Sequence, residues 1–553
     1  MRQPSLLFIV LLIASLLTGC AANSSLWGNL PTAAAPSGTP IELGQAPTLN
    51  PDKTPAGTPS PTLTPLIVLP QPGSPTPGDV TIGQTSTLAL SPQDTPTLPP
   101  VNSSGPMLRY NAQGGDTLEI VAKRFGVNPT EIISDINLPA PDILLQPGTL
   151  LLIPNHLPAE ISPGAQSIPD SEIVYSPSSV GFNIKDYVQR QGGYLATYRQ
   201  DLKTYGPTTG AQAVEYISQD NSLNPRIMLA LIEYEGHWVL GQPTNLAQED
   251  YPLGYLGNYS FYYKGLFRQL MWATAKLSEG YYHWRSGRLT ELTFNDGSKL
   301  QLDPRLNAGT VAIQYFFSLT HDRASWEQAV APTGFPALYT RMFGDPWERA
   351  KAVEPIIPAG LTQPTLTLPF ERGQLWSFIY GPHSAWQAPD GTVILEGGAL
   401  AALDFAPASE LSGCVKPDSN KWVVAPAAGV VVRTGVGIVI LDLDGDGLEQ
   451  TGWNLLFMHI APQGSARLGD ILQPGDHIGH PSCTGGHSGG THVHIARKYN
   501  GEWILAAGPI PYNMDGWIVH GGDATGKGIL VRGDEIVEAN SNGVFKTRIT
   551  RDK

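Results

Sequence analysis

The stretch Gly489-Gly490-Thr491-His492-Val493-His494-Ile495 indicates the fold class of the C-terminal part of this chain. Its β-branched residues predict a strand, in which successive side chains point to opposite faces. His492 and His494 are therefore expected on one face, where two imidazoles can converge on one metal ion or one bound water. Because the chain has 12 histidines, such a pair also arises by chance, and its meaning depends on partners elsewhere in the sequence.

The region from residue 370 onward has a β composition throughout. Short apolar runs alternate with Gly, Pro and Asp turns. We predict strands at 393–395, 422–425, 429–433, 437–441, 454–458 and 491–495. The pattern predicts an all-β segment over residues 370–553, built as an antiparallel sandwich or a curved sheet.

Two further passages of this β segment carry side chains that can bind metal or transfer protons. They are Ala402-Leu403-Asp404-Phe405 and Phe457-Met458-His459. Together with the strand that holds the two histidines, they resemble the lysostaphin-type (LytM) metallopeptidases. That family cleaves the peptide crosslinks of peptidoglycan, so the resemblance predicts a peptidase acting on the cell wall.

The resemblance assigns roles to four side chains. It implies a Zn²⁺ ion held by Asp404 and His494, with a coordination position left open for water. It also implies that His459 and His492 flank this water as general base and transition-state stabiliser. Zinc lowers the pKa of a bound water to about 7, so the expected nucleophile is available at neutral pH.

The third zinc ligand departs from the common pattern of the family. Most members place a ligand four residues before the aspartate, where this chain has Leu400, which cannot bind zinc. In the beta-lytic branch a histidine lies further upstream in a Gly-x-His passage, and this chain has Gly381-Pro382-His383 before Asp404. His383 is therefore the candidate third ligand. The alternative is a metal-free LytM-like domain that acts as a scaffold or activator of another wall hydrolase.

The first folded segment spans residues 107–155. Gly115-Asp116-Thr117-Leu118 precedes apolar residues at helical spacing, with Asp116 placed to cap the helix. A second short helix is predicted at 129–136 and a closing strand at 150–154. This order of strand, helix, helix and strand resembles the LysM module, which implies binding to N-acetylglucosamine-containing glycan, chiefly peptidoglycan. A small structural αβ domain without a ligand is the alternative.

The middle segment, 182–354, is predicted to be mostly α-helical. Asn224 and Pro225 start a helix whose apolar side carries Glu235. This helix resembles the one that carries the acid in lysozyme-like transglycosylases, although Gly236 stands where that family has serine and Glu233 competes for the role. A carboxyl group against apolar side chains has a raised pKa and can serve as a general acid. A catalytic muramidase, a non-catalytic glycan-handling domain and a helical spacer all remain open.

The N-terminus resembles a bacterial lipoprotein signal. A basic residue precedes a short apolar run that ends in Leu17-Thr18-Gly19-Cys20, which is similar to a lipobox. The resemblance implies a signal peptide at 1–20, lipidation of Cys20 and a membrane anchor that holds the protein outside the cytoplasm. A plain signal peptide is the alternative, and the membrane leaflet is left open. Export would also favour a disulfide between Cys414 and Cys483.

Three polar segments divide the chain. Residues 21–105 are rich in Pro, Thr, Ser and Gly, and such a composition predicts a disordered tether. Shorter stretches at 156–181 and 355–369 are predicted linkers. The fold prediction is therefore multidomain: a small βααβ LysM module, a mostly α-helical lysozyme-like domain and an all-β metallopeptidase-like domain.

The charge of the chain excludes one class of partner. A formal net charge of −14 argues against nucleic-acid binding, which needs a basic surface. The passage Asp442-Leu443-Asp444-Gly445-Asp446-Gly447 resembles the start of a calcium loop, but Trp453 occupies the twelfth position, where an EF-hand has a bidentate glutamate. An acidic hairpin tip and a nonstandard calcium site involving Glu449 both remain open.

These predictions combine into one function. The chain is expected to be a membrane-anchored wall hydrolase that holds peptidoglycan through its LysM module. Its C-terminal segment is expected to cut the peptide crosslinks with zinc-activated water.

Overall fold

The computed structural model describes residues 106–552, apart from 203–204, 258–259, 387–397, 417 and 523. The predicted signal peptide with Cys20, the tether at 21–105 and the strand at 393–395 lie outside the described residues. Within the described residues, no helix has both the length and the apolar character that crossing a bilayer requires.

The first folded segment has two antiparallel strands, β1 (Met107–Asn111) and β2 (Leu150–Pro154), with helix α1 (Leu118–Phe125) between them. The second predicted helix is a single 3₁₀ turn, Pro129–Glu131. It stops there because Ile133 forms a bridge to Leu152 of β2 instead of continuing the helix. The predicted order of elements holds, with a shorter second helix.

Thr117, and not Asp116, caps α1. The hydroxyl of Thr117 accepts the backbone N–H of Ile120 at 3.2 Å. The carboxylate of Asp116 is buried and accepts hydrogen bonds from the hydroxyl of Tyr110 at 2.6 Å and from Arg124 at 2.8 Å. The prediction that Asp116 caps the helix is therefore wrong, because a buried arginine competes for its carboxylate.

The middle segment is mostly helical, as predicted, and contains two short antiparallel hairpins. The helices are α2 (Ile184–Gln191), α3 (Tyr194–Thr197), α4 (Gly210–Asn221), α5 (Pro225–Gly236), α6 (Leu246–Asp250), α7 (Leu266–Arg285), α8 (Ala308–Thr320), α9 (Arg323–Val330), α10 (Phe335–Phe343) and α11 (Pro346–Ala350). The hairpins are β3 (Arg199–Leu202) with β4 (Gly206–Thr209), and β5 (Glu291–Thr293) with β6 (Lys299–Gln301). The side chain of Asn224 accepts the N–H of Arg226 at the start of α5, which is the expected cap.

The two shorter predicted linkers carry side chains that are fully buried. Within 156–181, Ile168 and Ile173 lie in the core of the helical segment. Within 355–369, Leu368 lies in the core of the β segment. Sparse apolar residues among prolines are typical of a linker in a sequence, but Ile168, Ile173 and Leu368 each fill a place in a neighbouring core. Both stretches therefore belong to packed structure and do not act as free connections.

The C-terminal segment is antiparallel β, as predicted. Its main sheet has the strand order β13-β10-β11-β12-β15-β8-β7-β21, with β16 paired to β15. A two-stranded sheet, β14-β9, and a smaller sheet, β17-β18-β19-β20, complete the segment. The strands are β7 (Leu375–Ser384), β8 (Leu400–Pro407), β9 (Val423–Val424), β10 (Gly429–Gly435), β11 (Ile438–Asp442), β12 (Trp453–Met458), β13 (Ile471–Leu472), β14 (His477–Gly479), β15 (Val493–Tyr499), β16 (Glu502–Trp503), β17 (Asn513–Met514), β18 (Trp517–Gly521), β19 (Gly528–Arg532), β20 (Glu535–Glu538) and β21 (Arg548–Thr550).

The two faces of the main sheet pack against different cores. Side chains such as Val439 and Ile495 point into the core of the β segment itself. Their neighbours in sequence, such as Ile440 and Ala496, point the other way and share a core with the helical segment. Because side chains alternate along a strand, His494 lies on the face that the helical segment partly covers.

Candidate metal centre

Three adjacent strands of the main sheet hold the predicted zinc ligands. His494 of β15 lies directly opposite Asp404 of β8. His383 of β7 pairs with Ala402, and the register between β7 and β8 shifts on both sides of His383. Such bulges change the direction of a side chain, and here they accompany a histidine that reaches the neighbouring aspartate. Residues more than 100 positions apart are thereby brought to one point.

The ligand atoms form a nearly regular triangle. Nε2 of His383 lies 3.0 Å from Nδ1 of His494, and each of these nitrogens lies 3.2 Å from Oδ1 of Asp404. Tetrahedral zinc with bonds of 2.0–2.2 Å would separate its ligand atoms by roughly 3.4 Å. All three residues are buried. The spacing and the ligand types therefore fit one zinc ion.

The hydrogen bonds behind the triangle direct lone pairs into its centre. Nδ1 of His383 donates to the carbonyl oxygen of Gly381 at 2.8 Å, and Nε2 of His494 donates to that of Ala385 at 3.0 Å. A neutral imidazole that donates through one nitrogen accepts through the other. Oδ1 of Asp404 has no hydrogen-bond donor among the described residues. Three electron-pair donors thus face one another, an arrangement that a cation stabilises.

The charges of the centre are arranged to keep the carboxylate ionised. Burial disfavours ionisation of Asp404, but the neighbouring His383 and His492 hold the pKa of its carboxyl well below the usual range. Burial also disfavours protonation of His383, and the Asp404 carboxylate outweighs it and raises the pKa of that imidazole. A negative charge therefore remains in the buried triangle.

His459 and His492 lie beside the triangle. Their ring centroids are 4.3 Å apart, and Nε2 of His492 lies 3.5 Å from Oδ2 of Asp404. Nδ1 of His492 donates to the carbonyl oxygen of Gly490 at 2.7 Å, which fixes the ring. The four predicted roles therefore fall on side chains that the fold brings together.

His459 has two properties that suit a proton acceptor. Both of its ring nitrogens are buried and lack a hydrogen-bond partner within the described residues. Burial, with the charges of His492 and His494, holds the pKa of His459 well below its usual value, so its ring is neutral at pH 7. The backbone of His459 is left-handed, with φ of 62°, a conformation that few non-glycine residues adopt.

A disulfide between Cys414 and Cys483 ties the loop after β8 to the loop that precedes β15. The same two loops are joined by backbone contacts, since Thr491 donates its N–H to Gly413 and accepts the N–H of Val415. The predicted pairing is confirmed. It fixes the segment that leads into β15, where His492 lies just before the strand and His494 lies within it.

The helical segment holds its two candidate carboxyl groups differently. A cleft of about 830 Å³ is lined by Glu233, and Oε2 of Glu233 accepts the backbone N–H groups of Val239 and Leu240 at 2.9 and 2.8 Å. The side chain of Glu235 is only 12% exposed and lies outside this cleft, with Oε1 3.7 Å from Nδ1 of His321. Burial raises the pKa of the Glu235 carboxyl to about 8. The residue with the pKa of a general acid is thus not the one that faces the cleft.

Two parts of the chain match known families. Residues 110–154 match the LysM domain. This confirms the prediction for the first folded segment. Residues 166–356 match the N-terminal domain of LasA, where the sequence pattern had indicated a resemblance to lysozyme-like transglycosylases. The match begins at 166, inside the predicted linker, in agreement with the burial of Ile168.

Several solved structures of peptidases are similar to part of the chain. A novel M23 metalloprotease from the deep sea, pseudoalterin, is 21% identical, covers 32% of this chain and 96% of its own, and has a TM-score of 0.26. The catalytic domain of lysostaphin from Staphylococcus simulans is 20% identical, with coverages of 25% and 89% and a TM-score of 0.17. A putative peptidase M23 from Pseudomonas aeruginosa is 23% identical, with coverages of 29% and 57% and a TM-score of 0.18. No curated protein matches the chain.

Proposed function

We propose that this chain is a zinc endopeptidase that cuts the peptide crosslinks of peptidoglycan while its LysM segment holds the glycan. The observation that carries the proposal is the buried triangle of His383, Asp404 and His494, whose three lone-pair atoms lie within 3.2 Å of one another. Neutral hydrogen bonding does not explain this convergence. One zinc ion with an open position does.

The residues around the triangle would handle the protons of hydrolysis. A bound zinc ion supplies a water of lowered pKa and a Lewis acid that polarises the scissile carbonyl. His459, neutral and without a hydrogen-bond partner in the described structure, accepts a proton as general base. His492 is held by Gly490 and presents Nε2 to the charge that develops on the tetrahedral intermediate.

The location of the protein follows from its partners. A LysM segment has its ligand in the cell wall, which lies outside the cytoplasm. The disulfide between Cys414 and Cys483 suits an oxidising compartment. Lipidation at Cys20 would add a membrane anchor, and labelling of the expressed protein with a radioactive fatty acid tests it. A Cys20→Ala variant that still incorporates the label would contradict the anchor.

The alternative function, a metal-free scaffold or activator of another wall hydrolase, was supported in the sequence by Leu400. Leu400 cannot bind zinc, but Nε2 of His383 on the adjacent strand lies 3.2 Å from Oδ1 of Asp404 and 3.0 Å from Nδ1 of His494, which supports His383 as the third ligand. A scaffold has no need for three converging ligands with oriented rings. The geometry therefore favours an enzyme.

Zinc analysis of the purified full chain tests the proposal. We expect one zinc per chain, and release of new amino termini from purified peptidoglycan. His383→Ala should lose both. His477→Ala is the matched control, because this half-exposed histidine stacks on Trp422 away from the triangle and should leave both unchanged. A parent protein without zinc after growth in zinc-containing medium would contradict the proposal.

Glycan cleavage by the helical segment is a second candidate, favoured by the raised pKa of Glu235. It predicts release of reducing sugar ends from purified wall, with loss of that release in Glu235→Gln. If reducing ends still appear with the variant, or never appear with the parent, Glu235 is structural.

A further inference from the structure

The hairpin between β11 and β12 carries three aspartates that converge. One carboxylate oxygen from each of Asp442, Asp444 and Asp446 lies within 4.8 Å of the others. Calcium binds oxygen at 2.3–2.6 Å, so two of its ligand atoms are at most about 5 Å apart. The spacing therefore allows all three carboxylates to reach one calcium ion.

A buried amide oxygen belongs to the residue that lies opposite the first of these aspartates. Asn454 is fully buried, and its Oδ1 has no hydrogen-bond partner among the residues described. Asn454 lies directly opposite Asp442 in the β11–β12 register, so the two side chains project from the same face. An amide oxygen without a donor is costly in the interior, and calcium takes such oxygens as ligands.

Hydrogen bonds connect the amide nitrogen of Asn454 to the loop. Its Nδ2 donates to the carbonyl oxygen of Thr451 at 2.8 Å, and the hydroxyl of Thr451 donates to Asp446 at 2.6 Å. With the nitrogen fixed on Thr451, the oxygen is the end of the carboxamide that is left for a ligand. This contact links the buried asparagine to the aspartates independently of their own clustering.

Nearby cations do not neutralise the aspartates. Arg433 binds Glu449 at 2.8 Å and Asp220 at 2.6 Å, and Lys498 binds Glu449 at 2.6 Å. In the described part of the chain, no ion pair reaches the three aspartates. Glu449 is occupied by these two cations, so the predicted calcium site that involves Glu449 needs a different fourth ligand.

We propose that this hairpin binds one calcium ion through the three aspartates and the amide oxygen of Asn454. The aspartates and Gly447 occupy the first, third, fifth and sixth positions of an EF-hand loop. Trp453 at the twelfth position supplies no ligand, and the next residue, Asn454, takes its place with a neutral oxygen. The absence of a bidentate glutamate predicts affinity in the range of extracellular calcium modules, with Kd about 10⁻⁴–10⁻³ M.

Calorimetric titration of the full chain with CaCl₂ in metal-depleted buffer tests this site. We expect one calcium per chain and a rise in the melting temperature at about 10 mM calcium. Asp444→Asn, an isosteric change at an exposed position, should weaken binding at least tenfold. Asn454→Leu should weaken it as well. The matched control is Asp476→Asn, an exposed turn aspartate whose carboxylate accepts the backbone N–H of Gln473, and it should bind calcium like the parent.

Three results would overturn the site. The first is the absence of heat and of a thermal shift up to about 10 mM calcium. The second is binding that Asp444→Asn leaves unchanged or that Asp476→Asn weakens equally, which would indicate a general effect of negative charge. The third is an equal shift with magnesium, which binds at shorter distances than calcium and in near-octahedral geometry, so that an equal effect would indicate a general response to divalent cations. Zinc content is a separate measurement, so this site and the peptidase can fail independently.

Discussion

Nε2 of His383 lies 3.0 Å from Nδ1 of His494, across 111 residues of sequence. Each ring donates its other N–H to a backbone carbonyl, Gly381 for one and Ala385 for the other. Neither nitrogen is therefore free to donate to its neighbour while both rings are neutral. The pair is stable without a metal only if one ring takes up a proton, and this makes metal binding and protonation alternatives at one place.

Removal of zinc should lower both activity and stability. Ligands that bind only the folded state stabilise it by about 4 kcal/mol at a thousand times Kd. We expect 1,10-phenanthroline to abolish release of amino termini from peptidoglycan and to lower the melting temperature by several degrees. In His383→Ala the chelator should change neither the release of amino termini nor the melting temperature. A melting temperature that the chelator shifts equally in parent and variant would argue against zinc at this triangle.

His459→Asn should separate catalysis from zinc binding. Asparagine tolerates the left-handed backbone at this position but supplies no base. Activity should fall by about 10²–10⁴-fold, the range of general acid–base catalysis, with zinc content unchanged. His480→Ala is the control and should keep both activity and zinc. Nδ1 of His480 donates to the carbonyl oxygen of Lys421. Loss of zinc in His459→Asn would make this residue a ligand and not the base.

Glu235→Gln should change the pH dependence of stability. Burial raises the pKa of this carboxyl from 4.5 to about 8, so the folded state binds a proton more tightly than the unfolded chain. Stability should therefore fall as pH rises from about 4.5 to about 8, where the buried group must ionise. The variant should be more stable than the parent by roughly 5 kcal/mol at pH 8.5 and equal to it near pH 4. Urea unfolding at the two pH values measures the difference.

Glu233→Gln provides the control for this measurement. Its amide oxygen can still accept the N–H groups of Val239 and Leu240, so the pH dependence of the parent should persist. If Glu235→Gln differs from the parent in stability by the same amount at both pH values, the raised pKa does not belong to Glu235.

The double variant Cys414→Ser, Cys483→Ser should lose about 4 kcal/mol of unfolding free energy, since the bond closes a loop of 69 residues. Activity should fall too, because the bond fixes the loop that leads to His492. Urea unfolding measures the loss of stability, and release of amino termini from purified peptidoglycan measures the loss of activity. Unchanged stability after replacement of both cysteines would mean that the backbone contacts of Thr491 hold the loops on their own.

Much of the fold could be predicted because its signals are local. The strand that holds His494 and the cap at Asn224 were predicted from a few neighbouring residues, although the observed strand begins at Val493 and leaves His492 just outside it. The orienting carbonyls of Gly381, Ala385 and Gly490 could not be predicted, because every residue has a carbonyl and only the fold selects three of them.

Long-range packing decided what the sequence left open. Ile168 and Leu368 read as linker residues because their partners lie in other segments. Asp116 read as a helix cap because the sequence does not show that Arg124 reaches it. The sequence did not indicate Asn454 as a candidate calcium ligand. Its position opposite Asp442 follows from the antiparallel register of two strands, which the sequence does not show.

The shared core of the sheet and the helices has a practical meaning for truncation. Ile438, Ile440, Leu456 and Met458 face the helical segment, so a protein cut at residue 370 would expose this apolar strip to solvent. Such a fragment should aggregate or precipitate even with its ligand set intact. A soluble fragment that keeps the ligand set is therefore expected to begin upstream of Ile168, because the sheet and the helices complete one core together.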